Sequence, residues 1–274
     1  MKISSLLLIL FASIFFVACE EEVKNPNLLY EQKLVVSAFL FPNETLKGIS
    51  VSMTHPPLED LYLVQDKDLF IKNANVTITT QGKSYVCSFN ENDYSYYCND
   101  LYLLEGKTYH LVVKYKNMTA TATTIIPTFN VDSIYYKINE KKEGIYTYYT
   151  GYIYAKINST YPMGYYTQHL EEYGNYYTIR ETMAHYNPKS NSNTDLFLKI
   201  YSTYSINSLL SDINNWSDTI FVCDEQMYRY YVTKNDSDNW NLFAENGTNP
   251  VWNIKGDGIG LFIGYNKKAV RCSK

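Results

Sequence analysis

Charge is scarce in this chain. Asp, Glu, Lys and Arg make up 19% of its 274 residues, and 24 basic against 28 acidic side chains leave a formal charge of −4. That balance argues against nucleic acid, whose binders carry basic stripes. Histidine is scarcer still: His55, His110, His169 and His185 are the only four. None stands in an HExxH or other ligand spacing, so each reads as an ordinary surface or half-buried residue. No CxxC occurs, which argues against a zinc site. No GxSxG and no recognisable Cys-His arrangement occur either, so enzymatic function has little support. Glu171 and Glu172 are adjacent; on a strand they face opposite ways and cannot flank one bond. "NDSDN" (235–239) lacks the Gly and terminal Glu of a calcium loop. The expectation is a protein without catalytic residues, metal or cofactor.

Long apolar runs are also missing, with one short exception. "MKISSLLLILFASIFFVA" has one basic residue, Lys2, and then an apolar stretch through Val17. It is short of the roughly 20 residues a transmembrane helix needs, but has the charged start and apolar middle of a signal peptide. Ala18 is small and directly precedes Cys19, as in a bacterial lipobox, although Phe16 stands where leucine is usual. Residues 1–18 are therefore expected to be removed and Cys19 to be acylated. Two or three acyl chains anchor stably, at about 0.8 kcal/mol per buried CH₂. Glu20, Glu21 and Glu22 follow at once. They resemble the export signal that sends Bacteroidota lipoproteins to the outer face of the outer membrane. Residues 19–32 read as a polar tether.

What the chain has in abundance is tyrosine, 29 residues, set in Thr-, Val- and Ile-rich text that favours strands. "KLVVSAFL" (33–40), "GISVSMT" (48–54), "NANVTITT" (73–80), "KSYVCSF" (83–89), "DYSYYC" (93–98), "KTYHLVVKY" (107–115) and "MTATATTII" (118–126) largely alternate apolar with polar residues. "FPNE", "QGK", "NEND", "LEGK" and "KYKN" punctuate them. Seven short strands followed by Pro127 predict an immunoglobulin-like β-sandwich over 33–127. Residues 128–274 read as a second, Tyr-rich β domain with one or two short helices. "SINSLLSDINN" has helical spacing, and "DEQMYRYYVTK" has an acidic start that suits a helix N-terminus.

Cys87, Cys98, Cys223 and Cys272 remain after the acylated cysteine, an even number in an exported chain. A hairpin turning at Asn90–Asp93 puts Cys87 and Cys98 on one face of adjacent strands, within reach of a bridge. Elimination then pairs Cys223 with Cys272. "GDGIGLFIG" has the glycines of a phosphate loop but runs into a strand instead of a helix. It is read as a turn or bulge before a closing strand. In "GIYTYYTGYIYAKI", Tyr146, Tyr148, Tyr152 and Tyr154 share one strand face. They are the candidate ligand platform, since flat rings with polar tips bind sugars or peptides at low entropic cost. The same rings facing inward would be core.

"KLVVSAFL", "VSMTHPPLED", "NANVTIT", "LLEGKTYHLVV", "TATTIIP", "VDSIYY" and "NIKGDGIGLFIGY", in that order and behind a lipobox, resemble domain-of-unknown-function family 4249 of the Bacteroidota. Such proteins resemble outer-membrane lipoproteins encoded beside TonB-dependent receptors. The resemblance implies a surface-exposed, non-enzymatic binding or scaffold accessory of a TonB-dependent nutrient uptake system, partnered by the lipid bilayer and a receptor. It carries no catalytic residues, and the ligand is unknown. A structural or adhesion envelope lipoprotein with protein partners only is the second reading.

Overall fold

Leu34, Val36, Ala38 and Leu40 are buried, while the residues between them are half-buried or exposed. That period of two makes β1 (Leu34–Leu40) a strand with one face on a core. A computed structural model describes residues 30–56, 69–128, 131–144, 146–157, 162–173, 176–186, 195–205, 217–237 and 250–271. The chain separates into a unit of residues 1–32 and a unit of residues 33–274. Every described strand and helix lies in the second of these. Mainly β structure is observed, as expected.

The first half holds β2 (Thr45–Met53), β3 (Asn75–Thr80), β4 (Lys83–Asn90), β5 (Ser95–Tyr102), β6 (Thr108–Tyr115) and β7 (Met118–Ile125). All seven strands fall on the runs read from alternation, within a few residues. Gln81 and Gly82 both have positive φ between β3 and β4, as a two-residue hairpin turn requires. β8 (Val131–Glu143), β9 (Tyr146–Ile157), β10 (Met163–Tyr173), β11 (Tyr176–Tyr186), β12 (Asp195–Ser205) and β13 (Ser217–Asp224) come next. Then come α1 (Glu225–Ser237), β14 (Lys255–Gly256) and β15 (Gly258–Arg271). The helix expected over "DEQMYRYYVTK" is α1. The one expected over "SINSLLSDINN" lies outside the described residues.

Strand order is β11-β10-β13-β15-β1-β2-β5-β4-β3-β6-β7-β14, with β12-β9-β8 as a separate three-stranded sheet. The pairing of the first half is thus one continuous ladder. β4 belongs to both its parts, pairing with β3 through Lys83–Cys87 and with β5 through Ser88–Asn90. β14 and β15 are consecutive in the chain, yet β14 pairs with β7 and β15 pairs with β1 in parallel. The final strand therefore closes the curl made by the first seven, although the sequence division at residue 127 placed it in the second half.

Closure needs backbones to approach closely, and this is what the glycines of "GDGIG" allow. A Cβ on Gly260 would stand 2.0 Å from the Val36 carbonyl oxygen, and one on Gly256 2.4 Å from that of Thr119. Both glycines also have positive φ, 123° and 84°, which other residues rarely adopt. The expected turn before a closing strand is what forms here. Asp257 fastens it: its carboxylate accepts the Thr119 N–H at 2.8 Å, and its carbonyl accepts that of Leu34 at 2.9 Å.

Two cores flank β15. Phe262 lies in the large core with Leu34, Val36, Ile49, Val76, Ile78 and Leu111. Leu261, Ile263 and Tyr265 face the other way, where Met227 and Tyr230 of α1 cover them. Burial on both faces explains the uninterrupted apolar text "LFIGY". Each such side chain stabilises the fold by about 1.5–3 kcal/mol.

Candidate functional site

β9 is the central strand of the three-stranded sheet, so its backbone groups are paired on both sides. Tyr146, Tyr148, Tyr152 and Tyr154 all lie on it, at positions of one parity. Antiparallel register then assigns each a rung, because residues directly opposite share a face. Tyr154 stands between Tyr135 of β8 and Phe197 of β12. Tyr152 stands between Lys137 and Lys199, and Tyr148 between Lys141 and Tyr204. Tyr146 is opposite Glu143, and Lys156 ends the row between Ser133 and Asp195. An irregularity between Lys199 and Tyr201 makes Ile200 an extra residue. This bulge keeps Lys199 and Ser202 in the same row despite their odd and even numbers.

The opposite row of the same sheet differs in composition. Ala155 stands between Ile134 and Leu196, and Ile153 between Tyr136 and Leu198. Gly151 stands between Ile138 and Tyr201. Asp132 sits in the register shift at one end of β8; among this row's residues in register, charge enters at the hairpin end, with Glu140 and Lys142. There Lys141 and Lys142 are both exposed, one from each row. An antiparallel sheet commonly keeps one face on a core and one in water, and charged residues are rarely buried. By composition the tyrosine row is the more highly charged of the two. The side chains of the four tyrosines lie outside the described residues.

Other tyrosines are plainly structural. The Tyr96 hydroxyl donates to the Ile71 carbonyl at 2.7 Å and accepts the Ala74 N–H at 2.8 Å. The Tyr109 hydroxyl accepts the Leu104 N–H at 2.7 Å. Both rings are buried, and burial pushes both phenols above their ordinary range.

Cys87 and Cys98 are disulfide-bonded, with Cα atoms 4.3 Å apart. The Ser88↔Tyr97 rung of β4 and β5 makes them opposite neighbours on the next rung, as the hairpin predicted. The second expected bridge is corrected. Cys223 is a free, buried thiol. Register puts it opposite Tyr265, whereas Arg271, the neighbour of Cys272, is opposite Ser217 at the far end of the ladder. Six residues of strand, roughly 20 Å, separate those rungs, far beyond disulfide reach. Cys272 itself lies outside the described residues, as do Cys19, Glu20, Glu21 and Glu22. Burial, with the Asp224 carboxylate beside it, drives the Cys223 thiol far above its ordinary range.

Among the described residues no group of three or more His, Cys, Asp or Glu is placed to hold a metal ion. His110 is engaged with Thr123, Nδ1 to Oγ1 at 2.9 Å. Asp236 falls in the last turn of α1, and Asp238 lies outside the described residues. Sequence reasoning missed the lysines beside Tyr152. Only cross-strand register reveals them, and no local signal in the sequence carries it.

The profile of the family described as "Domain of unknown function (DUF4249)" matches residues 20–271. The chain belongs to the DUF4249 family. No curated protein matches this DUF4249 chain. The match spans both rows of the β8–β9–β12 sheet and the closing strand, so the architecture described here lies within the family domain. Among the described residues no helix is long and apolar enough to cross a membrane.

Proposed function

We propose that this DUF4249 protein is an acylated, surface-exposed outer-membrane lipoprotein that serves a TonB-dependent nutrient uptake system as a non-enzymatic binding or scaffold accessory. The observation that carries the reading is the junction at Cys19. An apolar leader ends at Ala18-Cys19, three glutamates come next, and the family match begins at residue 20, directly after the cysteine. Acylation there leaves the whole family domain outside the bilayer at the end of a tether. The receptor partnership rests on the likeness of the chain to lipoproteins encoded beside TonB-dependent receptors. Supporting a binding role, the fold offers a central strand whose tyrosines stand among lysines.

Affinity purification of the tagged full-length protein from detergent-solubilised membranes tests this directly. The wild type is expected to incorporate a palmitate analogue and to bring down a TonB-dependent receptor. Cys19→Ala is expected to lose the label and leave the membrane fraction. Equal labelling of wild type and variant overturns the lipoprotein reading. An acylated protein that brings down envelope proteins but no receptor overturns the uptake reading and favours a structural role.

A further inference from the structure

We infer that the tyrosine row of the β8–β9–β12 sheet takes an anionic oligosaccharide, an inference that rests on the binding role just proposed and specifies its ligand. Three features of the placement lead there. The first is charge. The row's residues in register are Lys137, Lys141, Lys156 and Lys199 against Glu143 and Asp195, four cations to two anions, with Asp132 in the register shift at its end, on a chain whose formal charge is −4. The excess sits where the aromatic residues are, and it selects for negative ligands by complementarity.

The second is the arrangement of rings and charges. Tyr152 is flanked across both neighbouring strands by lysines, and the next rung, Tyr135–Tyr154–Phe197, is aromatic across all three strands. Neighbouring strands lie about 4.8 Å apart, and same-face positions along one strand about 6.5–7 Å. An aromatic rung and a cationic rung therefore alternate on the scale of a single sugar ring. A pyranose has a flat C–H face to lay on an aromatic ring, and in an acidic sugar a carboxylate or sulfate projects from its edge.

The third separates a glycan from an acidic peptide. An extended peptide docks on a sheet edge, where unpaired N–H and C=O groups complete its hydrogen bonds. β9 is paired on both sides, so a peptide laid across its tyrosines finds no backbone partners there; β8 and β12 end the sheet, and polyglutamate below tests docking at those edges. A glycan has no backbone amides to satisfy, and Thr150, Asn139 and Ser202 stand in the same row as residue types that hydrogen-bond hydroxyls.

The test is affinity electrophoresis of the full-length acylated protein in detergent. The gels contain polygalacturonate, alginate, chondroitin sulfate or hyaluronate, with methyl-esterified pectin and dextran as neutral partners and polyglutamate as the acidic peptide. Retardation by at least one acidic polysaccharide is expected, weakening as salt rises, with none by the neutral polymers. Lys137→Gln with Lys199→Gln is expected to weaken it about tenfold. Tyr152→Ala is expected to weaken it at every salt concentration. Lys142→Gln, on the other row, is expected to leave retardation unchanged, and all variants are expected to melt within about 4 °C of the wild type. The inference is overturned by no retardation in any acidic polysaccharide, by equal retardation in neutral ones, by retardation in polyglutamate alone, or by indifference to the lysine pair. Receptor co-purification is scored on the same preparations. A wild type that brings down a receptor yet binds no acidic polysaccharide refutes the ligand class and leaves the uptake reading standing.

Discussion

The hydroxyl of Thr124 on β7 donates to Oδ2 of Asp224 at 2.9 Å while accepting the N–H of Gly264 on β15 at 2.8 Å. Three segments remote in sequence meet through one side chain. Asp224 extends the chain of bonds, since its Oδ2 also accepts the Ile125 N–H at 3.0 Å and its Oδ1 caps α1 through the Gln226 N–H at 3.0 Å. Gly264 pairs with Leu40 of β1 on one side, but on the other, where its N–H points, β13 begins to pair with β15 only at Tyr265. The Phe262 N–H and C=O are in the same position, and the Asn253 side-chain amide serves both, at 2.8 and 2.6 Å. Thr124 and Asn253 thus stand in for a missing strand, and buried backbone groups stay satisfied.

Replacing Thr124 by Val keeps the shape but leaves the Gly264 N–H without an acceptor and the Asp224 carboxylate short of a donor. The expected cost is about 2 kcal/mol, read as a lower urea midpoint at unchanged slope. Thr124→Ser retains the hydroxyl and is expected to lose less than about 1 kcal/mol. Equal losses for Val and Ser would place the effect in packing.

The closing strand makes a steric prediction. Gly260→Ala drives a methyl into the Val36 carbonyl oxygen at a backbone angle that alanine disfavours. A loss of more than about 3 kcal/mol, or failure to fold, is expected. Gly82→Ala is the comparison, since nothing lies within 4 Å of its Cβ position. It carries only the left-handed penalty, about 1 kcal/mol. If the two variants have the same urea midpoint, the close approach of β15 to β1 is wrong.

The seven strands before Pro127 were legible because each puts one face on a core, so burial writes a period of two into the text. Burial on both faces erases that period, and "LFIGY" shows only that a strand is there. Its partner was not legible. β1 lies at the other end of the unit, and parallel pairing leaves no hairpin turn between the strands. The candidate site was half legible for the same reason. Tyr146, Tyr148, Tyr152 and Tyr154 lie along one strand and can be read locally. Lys137 and Lys199 join Tyr152 only through the register of two other strands, and the bulge at Ile200 shifts the parity any counting would use.

The cysteines separate by chemistry. Peptide mapping without reduction is expected to find Cys87 joined to Cys98. Reducing that link is expected to cost about 3 kcal/mol by the loop-entropy estimate. The peptide containing Cys223 is expected to resist iodoacetamide at pH 8 until urea unfolds the protein, because the thiolate is the reactive form and burial suppresses it. Rapid native labelling at Cys223 would contradict its buried position.

Tyr96 and Tyr109 set an alkaline limit. Their phenols titrate above the ordinary value of 10.0 when folded. The unfolded chain therefore releases those protons first as pH rises. Stability contributed by the protonated phenols is fully present below pH 10 and is lost as pH climbs from there through the folded-state values. Urea midpoints are expected to be unaffected by these two groups at neutral pH and to fall above about pH 10. Tyr96→Phe and Tyr109→Phe should each flatten that fall while lowering stability at neutral pH, through loss of the hydrogen bonds to Ala74 and Leu104.

Tyr152 and Ile153 are neighbours on β9 and belong to opposite rows, so paired substitutions there test which face of the sheet is core. Ile153 stands between Tyr136 and Leu198, and Tyr152 between Lys137 and Lys199. If the apolar row is the packed one, Ile153→Ala removes buried methyl groups and leaves a cavity, at a cost of about 2–5 kcal/mol. Tyr152→Ala then removes a wetted ring and is expected to cost less than about 1 kcal/mol. A buried Tyr152 reverses the order, because truncating a large core aromatic costs about 3–5 kcal/mol. The backbone change is the same for both, since each site is mid-strand with partners on either side, so strand propensity does not distinguish them. Urea unfolding of the two variants is sufficient. A larger loss at Tyr152 than at Ile153 would make the tyrosines core and remove the ligand face from this sheet.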